Sequence, residues 1–108
     1  MTEKIDKIIL ILGHFVVCKE DKYNNMEDLS NVVLFATYDM SKAKVKLKQL
    51  IAEEKANSWI ADAMKKYESN YIENGAYCYE DEAEFIFTDN NTGSHTHLQI
   101  VKQMIEEI

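Results

Sequence analysis

Residues 8–18 read IILILGHFVVC. Apolar side chains fill both alternating faces, with Ile9, Ile11, Phe15 and Val17 on one and Leu10, Leu12 and Val16 on the other. A short run rich in β-branched residues and apolar on both faces predicts a central strand covered on both sides, with Gly13 as a bulge. The polar stretch 19–31 predicts a long loop, in which Asn24-Asn25 favours a turn, and residues 32–38 predict a second strand.

Residues 42–48 carry two competing periods. KAKVKLK alternates as a strand does, yet Ser41 is a good N-cap, and Ala43, Leu47, Leu50 and Ile51 continue at helical spacing. The apolar positions run on through Ala56, Trp59, Ile60, Ala63, Met64 and Tyr67. A stretch of that length without a breaker decides for one long helix, with Asn57-Ser58 as the place where it would kink. Asn74-Gly75 then signals a turn.

Two further strands follow. Ala83, Phe85 and Phe87 point one way, and Glu82, Glu84, Ile86 and Thr88 the other. Asn90 to Gly93 form a four-residue hairpin loop, with Gly93 able to take positive φ. If Asp89 faces Ser94, then Phe85 meets Leu98 and Ala83 meets Ile100, so the apolar faces of the two strands coincide. The order ββαββ predicts a single α+β domain over residues 1–108. Its four-stranded, mainly antiparallel sheet would carry one long helix on it.

Composition sharpens this picture. The 108 residues hold 12 Lys+Arg against 19 Asp+Glu, a formal charge of −7, and every base is lysine. Hydrophobic residues make up 46%, which argues against disorder. The acidic balance disfavours a basic DNA-reading domain. Residues 1–66 hold ten acids and eleven lysines, whereas residues 67–108 hold nine acids and Lys102 alone. Residues 41–66 are the reverse, with seven lysines against Glu53, Glu54 and Asp62. Such asymmetry hints at an interaction surface.

No apolar run approaches the roughly 20 residues of a membrane span. No small-residue cleavage site follows residues 8–17, so a signal peptide is not expected. Cys18 and Cys78 read as buried free thiols of a reducing compartment. Together with the AT-rich codon bias implied by lysine without arginine, this places the protein in the cytoplasm of a low-GC bacterium or of a cell its phage infects.

Candidate chemistry is sparse. His95 and His97 share the outer face of the last strand, near Glu84 and Thr88, and two imidazoles at that spacing chelate zinc when further ligands exist. Nothing in the spacing brings His14 or Cys18 to them, so two solvated histidines and no metal are expected. Asp89, Ser94 and His95 are sequence neighbours on a hairpin and do not converge as a triad. Gly13, Gly75 and Gly93 form no phosphate-binding loop. No catalytic residue and no cofactor is expected.

A surface remains. Tyr67, Tyr71, Tyr77 and Tyr79 are four of the six tyrosines, interleaved with Glu68, Glu73, Glu80, Asp81, Glu82 and Glu84. Tyrosine offers rigid contact area with a polar tip, and acids around it complement a basic partner. The expected contact residues are Tyr71, Glu73, Tyr77, Tyr79, Glu80, Asp81, Glu82 and Glu84. Charge reversal at Glu80, Glu82 and Glu84 is expected to abolish binding and leave thermal stability intact.

In size, acidic bias and lysine-only basic composition the chain resembles the small proteins that phages and mobile elements direct against host defences, such as anti-CRISPR and anti-restriction inhibitors. That resemblance implies residues 67–89 offered to the basic channel of a nuclease or other nucleic-acid-handling protein. The lysine-rich segment 41–66 departs from a uniformly acidic mimic, so a surface acidic on one side is expected. The leading expectation is a non-catalytic interaction module that inhibits or regulates such a partner, without touching nucleic acid or membrane. The alternative is a self-associating structural or accessory domain, a homodimer in which a second copy half covers residues 8–17. The third is a small metal- or ligand-binding protein using His95 and His97.

Overall fold

A computed structural model describes residues 6–18, 26–66 and 75–105. It is an α+β arrangement of five strands and two helices: β1 (Asp6–Cys18), β2 (Met26–Thr37), α1 (Met40–Asn57), α2 (Trp59–Lys66), β3 (Ala76–Glu80), β4 (Glu84–Asp89) and β5 (Ser94–Ile105). The sheet order is β2-β1-β5-β4-β3, antiparallel throughout.

The hairpin of β4 and β5 has the expected register. Asp89 pairs with Ser94 and Phe85 with Leu98, and the Ile100 amide donates to the Ala83 carbonyl at 2.8 Å. Gly93 turns the loop at φ 81°, a left-handed conformation that a Cβ disfavours.

Four expectations are corrected. The sheet has five strands, because Ala76–Glu80 adds an edge strand beside β4, pairing Cys78 with Phe87. Strand β2 begins at Met26, so residues 26–31 leave the expected loop and pair with the end of β1, Asp28 opposite Val16. Polar side chains are tolerated there because β2 is the other edge of the sheet.

The third correction concerns the helix, which is two helices. The Ser58 hydroxyl donates to the Glu54 carbonyl and accepts from the Ile60 amide at 3.1 Å, ending α1 and starting α2 with one side chain. At the other end of α1, Asp39 rather than Ser41 is the N-cap, accepting from the Ser41 amide at 2.8 Å and the Lys42 amide at 3.4 Å. The alternation of residues 42–48 is a coincidence of composition. Ala43 and Leu47 are buried while Val45 is 70% exposed, so helical geometry decides which apolar residue is used.

Both helices pack on one face of the sheet. Leu47, Ile51, Ile60 and Ala63 meet Ile11, Ala76, Phe85, Phe87 and Leu98 in a single buried cluster. Trp59 sets its ring edge-on to Phe87 at 5.5 Å between centroids. Gly13 lies beneath the Phe15 ring on this face: a Cβ there would stand 2.5 Å from Phe15 and 3.1 Å from Leu34. The ladder with β2 slips on either side of Gly13, between Ile11 and Leu12 and again between Gly13 and Phe15.

The fourth correction follows from that packing. Strand β1 is central, flanked by β2 and β5, but helices cover only its Ile9 and Ile11 face. Leu10, Leu12 and Val16 are half-buried among strand neighbours on the opposite face.

Candidate interaction surface

The turn joining β3 to β4 gathers most of the expected acids. Asp81 Oδ1 accepts from the Ala83 and Glu84 amides at 2.8 Å each, which closes the turn. The Tyr79 hydroxyl donates to Asp81 Oδ2 at 2.6 Å. That hydrogen bond is the main cause of the lowered Asp81 pKa and the raised Tyr79 pKa.

The neighbouring glutamates are answered by α1. Glu80 pairs with Lys55, and Glu82 with Lys44 at 3.2 Å. Lys55 also stands over the Phe85 ring, 5.7 Å from its centroid. The lysine-rich helix and the acidic turn, which are separate blocks of opposite charge in sequence, thus lie side by side. An open groove of about 420 Å³ runs between them, lined by Lys44, Val45, Lys48, Glu80, Asp81 and Glu82 among others.

Glu84 belongs to a different place. It lies on the sheet face away from the helices, half-buried, with Oε2 2.7 Å from His97 Nε2. The expected acidic row is therefore divided: Glu80 and Glu82 face the helix lysines, while Glu84 serves the far side of the sheet. Tyr77 and Tyr79 are also on β3, 47% and 40% exposed. Tyr71 and Glu73 fall outside the described residues.

On the far face the structure assembles what sequence spacing could not. His14 pairs with His97 across β1 and β5, and His95 lies next along β5. The His95 ring meets His14 edge-on at 5.5 Å and His97 at 6.2 Å between centroids. His14 Nε2 bonds Asp28 at 2.9 Å, and His95 Nδ1 bonds Thr88 Oγ1 at 2.7 Å. Burial, then the His14 and His97 charges, hold His95 below its ordinary pKa. Among the described residues no group of three metal-binding side chains is arranged to hold a metal ion.

Thr88 and His95 are within the reach of a nucleophile and its base, yet no carboxylate backs His95 among the described residues. The sequence expectation that His95 and His97 stand near Glu84 and Thr88 holds as geometry. The β1–β5 pairing brings His14, which the spacing left apart, to those two histidines, and the β1–β2 pairing brings Asp28, which the sequence reading did not single out, to His14.

No protein-family model, curated protein or solved structure matches this chain. No helix among the described residues is long and apolar enough to cross a membrane.

Around the histidines, the far face is aliphatic and aromatic. Leu10, Leu12 and Val16 share it with Val33, Ile86 and Val101, joined at the β3 edge by Tyr77 and Tyr79. Val33 is 57% exposed, and among the described residues no helix lies over this side.

Proposed function

We propose that this chain is a non-catalytic protein-interaction module whose working surface is the sheet face opposite the two described helices. The observation that carries this reading is the exposure of Val33, Tyr77 and Tyr79 on a face whose apolar residues neither described helix covers. Contiguous apolar surface rimmed by polar groups is what association sites present, and tyrosine is enriched where binding energy concentrates. Asp28, Glu84 and the three histidines supply polar groups that fix orientation within an apolar field.

A second reading has its own support. The Glu82 side chain is 83% exposed, and its pairing with Lys44, like that of Glu80 with Lys55, joins two partly exposed groups. Such pairs contribute about 0–1 kcal/mol, so a basic partner displaces them readily. The partner would be a nucleic-acid-handling protein of the sort anti-defence inhibitors engage, held by Tyr77, Tyr79, Glu80, Asp81 and Glu82 in the cytoplasm.

Affinity capture from bacterial lysate at low and high salt tests both readings. If the sheet face binds, Val33→Lys removes the captured protein, Glu80→Lys with Glu82→Lys does not, and added salt has little effect. If the turn binds, the pattern reverses and salt releases the partner. Capture indifferent to every one of these variants sinks the module reading.

A further inference from the structure

We propose that the sheet face opposite the two described helices docks a second copy of this chain, sheet against sheet, about a two-fold axis. The proposal rests on the reading of that face as the working surface, and it names the occupant.

Area is the first argument. Strands of 13, 12, 12, 6 and 5 residues make up the face. At ~3.3 Å per residue and ~4.8 Å between strands they present roughly 750 Å². A standard stable interface takes about 800 Å² from each partner. One full face therefore comes close to what a dimer needs.

Charge is the second. The lysines of residues 42–66 lie on α1 and α2, on the other side of the sheet. Lys102 pairs with Ile9, whose side of the ladder faces the helices. Among the described side chains, the far face carries the carboxylates of Asp28 and Glu84, each bonded to a histidine of the same face; the register puts Asp6 on that side at the end of β1, and Asp81 meets Tyr79 at the β3 edge. His95 is the third imidazole, and Tyr77, Tyr79 and, by register, Cys18 are further titratable groups on that side. A strongly basic partner finds no free acidic row on such a face, whereas an identical face brings no block of like charge against it. An isologous contact requires that kind of self-complementarity.

The aliphatic pattern is the third. Leu10, Leu12, Val16, Val33, Ile86 and Val101 spread over four strands instead of lying along one groove. A groove would fit one extended segment or one helix. A broad field of branched aliphatics around the histidines fits a second sheet, stacked about 10 Å away as in a sandwich.

Sedimentation velocity of the full chain, with reductant present because Cys18 and Cys78 are free thiols, reads the outcome directly. The expected result is a species of twice 12.5 kDa that dissociates on dilution. Val33→Lys and, independently, Tyr77→Lys should weaken it at least tenfold, with circular dichroism unchanged because both side chains are exposed. A dimer indifferent to both variants overturns the proposal. So does a monomer at every concentration, and the dye 8-anilinonaphthalene-1-sulfonate then separates two cases. Dye bound by the wild type and lost in Val33→Lys leaves the open-face reading standing with a different occupant. A monomer that binds no dye overturns both.

Discussion

His14 and His97 stand opposite each other on β1 and β5, yet their rings part to different carboxylates, His14 to Asp28 and His97 to Glu84. His95 contacts both rings, and its hydrogen-bond partner among the described residues is the Thr88 hydroxyl. Two of the three imidazoles are therefore hydrogen-bonded to an acid, and among the described residues the third is not.

The consequence for pH falls on His95, whose pKa is lowered from 6.5 mainly by burial and then by its two histidine neighbours. As pH falls through about 6.5, the unfolded chain takes up this proton before the folded one does. The His95 contribution is fully present above that pH and is lost as pH falls toward the folded value. Melting temperature should therefore drop between pH 7.5 and pH 5.5, and His95→Gln should flatten that dependence. NMR titration of the ring gives the direct check: a His95 midpoint at or above 6.5 contradicts this account.

Glu82 and Glu84 should respond differently to charge reversal, contrary to the sequence expectation of uniform tolerance. Glu82→Lys exchanges one exposed, weak ion pair for a solvated lysine, and stability should stay within about 0.5 kcal/mol. Glu84→Lys puts an ammonium beside His97, where the side chains are 35% and 23% exposed, and should cost about 1 kcal/mol or more. Urea denaturation of the two single variants distinguishes these outcomes, and equal midpoints would refute the division.

Gly13→Ala tests the close approach beneath Phe15. The added methyl would stand 2.5 Å from the ring and 3.1 Å from Leu34, so both side chains must move. Overpacking of this kind costs about 1–3 kcal/mol. Gly13→Ala combined with Phe15→Leu should recover part of the loss, and a neutral Gly13→Ala would show that the ring shifts freely.

Ser58→Ala should cost about 1 kcal/mol, the usual penalty for removing a side-chain cap. The loss should appear in thermal denaturation and as faster amide exchange at Ile60, which donates to the hydroxyl. Ser58→Asp, which keeps an acceptor for Ile60, should recover most of it.

The legible parts of this fold are those whose pattern is local. Phe85, Phe87, Leu98 and Gly93 describe the β4–β5 hairpin within a few residues of one another, and the register follows. Ala43, Leu47 and Ile51 favoured a helix over the lysine alternation because the helical period persisted. Strand β3 was hidden by its five-residue length and by Tyr77 and Tyr79, which read equally well as surface contacts. The break at Ser58 was visible as a kink, but nothing in the spacing showed that one hydroxyl would serve two helices. The joining of His14 to His95 and His97 was illegible for another reason: it depends on β1 meeting β5, a pairing that no nearby residue encodes.

That pairing also governs how the chain can be made. Ile11 faces Ile100 across the middle of the sheet, so the seat of the first described strand is finished only when the last one arrives. During synthesis the β1–β2 hairpin must wait with one long aliphatic edge unpaired while both helices and two further strands emerge. Such distant pairings fold slowly and leave edges open to mispairing in the interval. The yield of soluble chain should therefore respond to translation speed as well as to the stability of the finished sheet.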